Sequence, residues 1–209
     1  MLKIITGLFK GLHLVMPKDP LIRPTAAPVR EAIFSILGQK TMGASVLDLF
    51  AGSGAMGLEA LSRGADKLLL CDQSPLALAA MESNLKKIPS ALTDKVKIIK
   101  ATFPKSYGRL IKEGPFSLIL LDPPYADPIE NVINFLAWAT KNKLASSDAT
   151  VVWEQAPQSL KLWDPQSLVG WETVLTRRWG KRAVAILELN NEPNDSKTQN
   201  NEMIRVDQA

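Results

Sequence analysis

The chain has 209 residues, a formal net charge of +4 and 46% hydrophobic residues, which fits one globular domain with an appendage. Its single cysteine, Cys71, excludes an intramolecular disulfide and a cysteine-based metal cage, and its single histidine, His13, argues against a zinc site, so no metal is expected. The sequence has no signal-peptide pattern and no apolar run long enough to cross a bilayer, which predicts a cytoplasmic protein without a membrane partner.

The first forty residues carry the excess positive charge. Residues 1–40 hold six basic and two acidic side chains, so the remainder of the chain is neutral overall. Segments 3–6 and 12–15 predict a short hairpin. The apolar spacing that follows predicts an amphipathic helix over 26–37, with Thr25 as its N-cap and Gly38 as its end. A basic extension on a neutral body suggests a polyanionic partner, although a solvated basic face fits the charge equally well.

From Ala44 onward, strand and helix patterns alternate. The predicted strands cover residues 45–50, 67–72, 95–99, 116–122, 149–154, 170–176 and 182–189. The predicted helices run from the glycine turn to Arg63 and over 75–87, 103–112 and 128–141. This alternation predicts an α/β fold with a mostly parallel, doubly wound, seven-stranded sheet whose last two strands form a hairpin. The expected organisation is an N-terminal extension over 1–40, a domain over 41–189 and a loose polar tail over 190–209.

A glycine-rich turn follows the first strand of that domain. Gly52, Gly54 and Gly57 have the G-x-G-x-x-G spacing of a dinucleotide fingerprint, which alone cannot separate NAD(P), FAD and S-adenosylmethionine. Asp72, twenty residues after Gly52, can bind a ribose hydroxyl. Asp48 can face the ammonium of a methionine moiety and would repel a pyrophosphate, which favours S-adenosylmethionine. The alternative is that both acids cap helices or form a surface pair.

The tetrapeptide Asp122-Pro123-Pro124-Tyr125 follows the fourth strand of the domain. Two prolines in series make a stiff corner that presents carbonyl oxygens, a carboxylate and an aromatic ring. These groups suit an exocyclic amino group on a flat base, because the oxygens accept its N–H bonds and the ring stacks on its face. A proline-rich strand exit with a surface tyrosine is the alternative. In a doubly wound sheet the fourth strand lies beside the first, so both motifs are expected at one edge.

Together these motifs resemble class I S-adenosylmethionine-dependent methyltransferases and, more narrowly, the bacterial 16S rRNA guanine-N2 methyltransferases (RsmD-like). The match extends from near the first residue to about residue 189. Its most specific strings are Gly57-Leu58-Glu59-Ala60-Leu61-Ser62-Arg63-Gly64 and Arg23-Pro24-Thr25. Relatives usually have a Thr-Thr-Asp-Arg-like run after the second string, where this chain has Ala26-Ala27-Pro28.

The resemblance implies methyl transfer from S-adenosylmethionine to the N2 of a guanine in 16S rRNA, guanine 966 by family likeness. The protein would act as a monomer on the small ribosomal subunit or an assembly intermediate. The catalytic residues implied are Asp122, Pro123, Pro124 and Tyr125. The cofactor residues implied are Asp48, Phe50, Gly52, Ser53, Gly54, Asp72 and Thr102, of which Thr102 stands where relatives commonly carry Asp or Asn.

RNA contacts are expected on the extension and on the turn of the last hairpin. The residues predicted to bind RNA are Lys10, Arg23, Thr25, Arg30, Arg177, Arg178, Lys181 and Arg182. The turn falls at the edge that carries Asp122, because the sixth strand is parallel to the sheet and the seventh runs back. A solvated hairpin tip is the alternative interpretation of its four basic residues.

Three other functions stay open at this point. One is another amino methyltransferase, acting on adenine N6 or on a protein glutamine; the Arg23-Pro24-Thr25 string argues against it. A second is a non-catalytic RNA-binding assembly factor, against which the intact Asp48, Asp72 and Asp122 argue. A third is an NAD-dependent dehydrogenase, for which the segment from Asp122 to Tyr125 is unsuited.

Overall fold

The computed structural model describes residues 2–19, 25–157, 168 and 170–190. Its strands are β1 Ser45–Asp48, β2 Lys67–Asp72, β3 Val96–Lys100, β4 Phe116–Leu121, β5 Ala145–Gln155, β6 Trp171–Trp179 and β7 Arg182–Leu189. Its helices are α1 Ala27–Leu37, α2 Ala55–Ser62, α3 Pro75–Leu85, α4 Ser90–Thr93, α5 Tyr107–Leu110 and α6 Ile129–Lys141, with a short 3₁₀ turn over Gly38–Thr41.

The seven strands form one sheet in the order β3-β2-β1-β4-β5-β7-β6. All neighbours from β3 to β5 are parallel, whereas β7 is antiparallel to both β5 and β6. The chain reverses between Trp179 and Arg182, where Gly180 has φ +55°. The predicted mostly parallel, doubly wound sheet is therefore confirmed, including its final hairpin.

Both faces of the sheet are covered. Val46, Leu68 and Leu118 pack into one core layer together with α1 and α2. Leu47 and Ile119, one residue further along, pack into the other layer with α6. Central strands buried on both faces must be apolar throughout, which explains the continuous hydrophobic runs in the sequence. Cys71 lies in the second layer as a buried thiol, and burial is the main cause that raises its pKa.

Residues 2–19, called here the N-terminal arm, form a compact loop held by one antiparallel bridge between Lys3 and His13. The bonds Ile4 N–Leu12 O (3.0 Å) and Leu14 N–Leu2 O (3.0 Å) flank the bridge. The predicted pairing of 3–6 with 12–15 is thus present, but as a bridge without extended strands. The division into the predicted domains stays a prediction.

Among the local predictions that differ from the structure are the N-cap of α1, the helix over 103–112 and the start of β5. The N-cap of α1 is Ala26, without a side-chain bond, because the Thr25 hydroxyl is used elsewhere. The predicted helix over 103–112 is a single turn, Tyr107–Leu110, in a segment that contains Pro104 and Gly108, both poor helix formers. β5 begins at Ala145, four residues earlier than predicted.

The expectations for Arg23, Pro24 and the tail over 191–209 lie outside the described residues. No described helix has the length and apolar character needed to cross a bilayer. Within the same residues, no group of three or more His, Cys, Asp or Glu side chains is placed to hold a metal ion.

Candidate active site

A cleft of about 1020 Å³ opens at the carboxyl edge of the sheet. Its wall includes the glycine turn after β1 and the proline corner after β4, which are adjacent parallel strands. The two turns predicted to face each other therefore line one cavity. The predicted site residues in its wall are Thr25, Asp48, Phe50, Gly52, Ser53, Asp72, Asp122, Pro123, Pro124, Tyr125, Arg178, Lys181 and Arg182.

The glycine turn is held by the two carboxylates predicted beside it. The N–H of Gly52 donates to Asp72 Oδ2 (2.8 Å), and the N–H of Gly57 donates to Asp48 Oδ2 (2.9 Å). A Cβ on Gly57 would lie 2.7 Å from Leu68 Cδ1 and from Leu70 Cδ2. Glycine at this position lets the first turn of α2 approach β1 and β2 closely.

Asp48 is a buried acid in the wall of the cleft. Burial raises its pKa to about 7; the bond from Gly57 N–H opposes this change and the charge of Asp72 adds to it. A carboxylate in this position gains free energy from a cationic partner. Asp72 accepts bonds from Gly52 N–H and from Ser74 N–H (2.9 Å), and each of its oxygens retains a lone pair for a hydroxyl donor.

Aromatic side chains form the apolar side of the cleft. Phe50, Phe103, Tyr107 and Phe135 line it, with ring centroids 5.6, 5.6 and 5.4 Å apart in that sequence. Such a wall suits a flat heteroaromatic group. Thr102 is exposed and does not line the cleft, and its N–H donates to Ser106 Oγ (2.9 Å), so its predicted cofactor contact has no support in the geometry.

The proline corner carries Asp122 into a network of hydrogen bonds. Thr25 Oγ1 lies 3.3 Å from Asp122 Oδ2 and 3.1 Å from Glu154 Oε2. The Tyr125 hydroxyl lies 3.5 Å from Glu154 Oε1, which also pairs with Arg182. Glu154 itself is 3% exposed. Two acids, two hydroxyls and one guanidinium thus meet where β4, β5 and β7 end or begin.

This environment changes the proton affinity of Asp122. Burial is the largest cause that raises its pKa well above the usual range, followed by the charge of Glu154 and, more weakly, that of Asp48. Arg182 and the bond from Thr25 oppose the increase. The pKa of Tyr125 is also raised, first by burial and then by Glu154.

The residues predicted to bind RNA fall into distinct groups. Arg178 and Lys181 are exposed and line the cleft. Arg182 lines it too and pairs with Glu154. Arg177 and Lys10 are exposed but do not line the cleft.

For two residues the predicted RNA contact must be corrected. Arg30 is 1% exposed, and its guanidinium donates to the backbone oxygens of Thr25 (2.8 Å) and Lys3 (2.7 Å). Arg30 therefore links the N-terminal arm to the segment before α1, and its buried side chain is not accessible to RNA. Thr25 is 5% exposed, and its hydroxyl is committed to the two carboxyl groups of the proline corner.

Glu154 and Asn84 are two functional residues without a predicted role. Glu154 directly follows the apolar run Val151-Val152-Trp153, so an acid at the end of an apolar run was the available signal. The side chain of Asn84 accepts from Val15 N (2.6 Å) and donates to Val15 O and Ser53 O (both 2.9 Å). It therefore links the arm to the glycine turn.

Comparison with known proteins places this geometry in a family. A family model described as conserved hypothetical protein 95 matches residues 2–188. The ribosomal RNA small subunit methyltransferase D of Escherichia coli K12 is 34% identical over 137 residues, which are 65% of this chain and 66% of that relative. The solved Escherichia coli protein yhhF, provisionally named a methyltransferase, is 25% identical with a TM-score of 0.74, over 91% of this chain and 99% of that one.

A more distant solved structure adds evidence for the fold. It is provisionally named a methyltransferase and is complexed with SAH (S-adenosylhomocysteine). It is 14% identical with a TM-score of 0.59, over 78% of this chain and 48% of that one. The likeness at this identity concerns the arrangement of sheet and helices.

Proposed function

The chain belongs to the family described as conserved hypothetical protein 95, and from this membership we propose that it methylates an amino group of ribosomal RNA. It is an RsmD-like methyltransferase whose cofactor is S-adenosylmethionine. The finer proposal is that the acceptor is the N2 of a guanine in 16S rRNA, guanine 966 by family likeness. The substrate would be the small ribosomal subunit or an assembly intermediate, and the enzyme would act on it as a monomer.

One observation carries the proposal: the glycine turn and the Asp122 corner line the same cleft. The donor set fits S-adenosylmethionine at three points. Asp48 offers a carboxylate to the ammonium group, Asp72 offers acceptors to the ribose hydroxyls, and the aromatic wall beginning at Phe50 offers a flat apolar surface to the adenine. When bound, the cofactor supplies an electrophilic sulfonium methyl group.

The proline corner would orient the acceptor. The lone pair of an aromatic amine is delocalised into the ring, so it must be turned toward the methyl carbon. Asp122 and the Pro123 carbonyl can accept the two N–H bonds and hold that orientation, and alignment of this kind supplies roughly 7–11 kcal/mol in favourable cases. Tyr125, 53% exposed, can stack on the base for about 1–3 kcal/mol. The base must leave its stack or come from a loop to reach this position.

The proposal is tested with the full chain, S-adenosylmethionine labelled in its methyl group, and small ribosomal subunits from a strain that lacks the corresponding methyltransferase. We expect label in 16S rRNA, and mass spectrometry of nuclease fragments should find it as N2-methylguanine at one position. Naked 16S rRNA in a parallel reaction identifies the substrate form. Label in adenine N6, or none despite bound cofactor, would contradict the proposed acceptor.

The turn between β6 and β7 should contribute to RNA affinity. Lys181→Glu reverses an exposed positive charge at the cleft, so we expect weaker binding of the small subunit and a shallower salt dependence of affinity. Lys143→Glu makes the same charge change just before β5, at the amino edge of the sheet, and is the matched control. Equal effects of both variants in a filter-binding assay would show that only net charge matters.

Cofactor affinity should depend on pH through Asp48. Its pKa of about 7 means that the carboxylate predominates above this pH and the neutral acid below it. Only the carboxylate pairs with the ammonium, so affinity should be full above about pH 7 and fall by up to about tenfold per pH unit below it. Calorimetric titration with S-adenosylmethionine measures this slope.

Asp48→Asn should bind the cofactor more weakly at high pH and lose the slope. Asp66→Asn, at a side chain that is 70% exposed and paired with Lys95, is the control and should retain both. An unchanged slope in Asp48→Asn would assign the pH dependence to another group.

A further inference from the structure

The Thr25 hydroxyl lies between two carboxyl groups, Asp122 at 3.3 Å and Glu154 at 3.1 Å. A hydroxyl carries one proton and donates only one hydrogen bond. Its contact with the second carboxyl is therefore a hydrogen bond only if that carboxyl carries a proton. Thr25 is fixed in this position because Arg30 holds its backbone oxygen at 2.8 Å.

The surrounding charges favour one shared proton. Glu154 pairs with Arg182, which balances a single negative charge in the group. Ionising Asp122 as well would leave a second negative charge, on a half-buried carboxyl beside the buried Glu154, and such like-charge pairs keep one proton. The titratable or charged side chains that face Asp122 are Glu154 on β5, Arg182 on β7, Asp48 on β1 and Tyr125 after β4, with Asp19, Asp72, Asp127, Arg178 and Lys181 elsewhere in the cleft wall.

We propose that Asp122 and Glu154 share one proton through Thr25 before the base enters, and that the amino group of the target base displaces this proton when it binds. The proposal rests on the proposed function, because the N–H donors of the base replace the proton as the hydrogen-bond donors to Asp122. Thr25 and Glu154 are then positioning residues, since both act through Asp122 rather than on the base. The displaced proton goes to water.

Methyl transfer returns a proton to the pair formed by Asp122 and Glu154. The lone pair of the amino nitrogen forms the bond to the methyl carbon, while the C–S bond breaks and its electron pair stays on sulfur. The nitrogen is left with a positive charge and one proton too many, and this proton passes to the Asp122 carboxylate. The carboxyl pair then again holds one proton. Neutral Asp122 is a weaker hydrogen-bond acceptor than the carboxylate, so it binds the methylated base less strongly.

Carboxyl titration in the full chain, without RNA, tests the shared proton. In protein labelled with ¹³C at Asp and Glu carboxyl carbons, NMR follows Asp122 against pH. Glu154→Gln removes the neighbouring negative charge, so Asp122 should ionise at lower pH. Thr25→Val removes a hydrogen bond to the carboxylate, so Asp122 should ionise at higher pH. If Glu154 and Thr25 only supported the fold, the two substitutions would not move the Asp122 titration curve in opposite directions.

The pH dependence of methylation should shift in the same directions as the titration curve of Asp122. The acid limb of the pH profile of kcat/KM should move to lower pH in Glu154→Gln and to higher pH in Thr25→Val. At neutral pH, Thr25→Val should lose about 2- to 13-fold in kcat/KM, the equivalent of one ordinary hydrogen bond, and recover at higher pH. Glu188→Gln is the matched control, because Glu188 also pairs with a basic residue, Lys40, but 43% of its side chain is exposed. It should leave both measurements unchanged.

The proposal is overturned if the Asp122 curve stays in place, or moves the same way, in both variants. If Glu154→Gln does not fold, Arg182→Gln replaces it. Loss of this positive charge should move the Asp122 curve to higher pH, as in Thr25→Val, and for this pair the overturning result is a curve that stays in place or moves to lower pH. The titration needs no RNA, so it separates the two claims. Opposite shifts without methylation of rRNA would overturn the proposed function alone, whereas methylation without opposite shifts would overturn the shared proton alone.

Discussion

Replacing Asp122 with alanine is expected to lower the rate of methyl transfer by about 10²- to 10³-fold while leaving S-adenosylmethionine affinity nearly unchanged. This range is typical when one hydrogen-bonding group that acts in the transition state is removed. Asp122 lines the cleft on the side of the proline corner, whereas Asp48 and Asp72 contact the glycine turn. Single-turnover kinetics with saturating cofactor measures the rate, and calorimetry measures the affinity.

Asp127→Ala is the matched control for this experiment. Asp127 is an exposed acid in the wall of the same cleft, five residues further along, so it reproduces the loss of one carboxylate. Its variant should retain most of the rate. Equal rates for wild type and Asp122→Ala would show that Asp122 has no role in methyl transfer. A large loss of cofactor affinity in Asp122→Ala would show that Asp122 contributes to cofactor binding.

The positions of the three acids could be predicted because they depend on the sheet alone. Asp48 and Asp72 end β1 and β2, and Asp122 directly follows β4. These parallel neighbours are recognisable from apolar runs that only a doubly covered sheet explains. Parallel strands bring their carboxyl ends to one edge, so the order of the strands sufficed to predict a common cleft.

The contacts of Thr25 and Glu154 could not be predicted in the same way. They join residues 129 positions apart through side chains, and no local period encodes such a pair. Arg30 is different, because a signal was present in the sequence. It precedes Ile33 and Leu37 by three and seven residues, which puts it on the buried face of α1. Arg30 is predicted from its charge to bind RNA, whereas its helical phase indicates burial.

The position of the N-terminal arm against α2 should depend on Gly7. Gly7 has φ +91°, and a Cβ at this position would lie 1.9 Å from the backbone oxygen of Ser62 at the end of α2. Close by, Glu59 accepts bonds from the N–H groups of Ile5 (2.7 Å) and Thr6 (3.0 Å), and Leu8 N–H donates to Ser62 O (2.8 Å). Gly7→Ala must therefore move the arm away from α2 or distort it.

The matched control is Gly11→Ala, because Gly11 has a similar φ of +86° but nothing within 4 Å of the added Cβ. Both variants bear the strain of a left-handed backbone at a residue with a Cβ, and only Gly7→Ala adds the clash with Ser62. We expect Gly7→Ala to lower the free energy of unfolding by about 1–3 kcal/mol more than Gly11→Ala. Denaturant titration measures the difference, and hydrogen exchange should show lost protection at the amides of Ile5, Thr6 and Leu8. Equal stability of the two variants would mean that the arm is held by its own turn rather than by its close approach to α2.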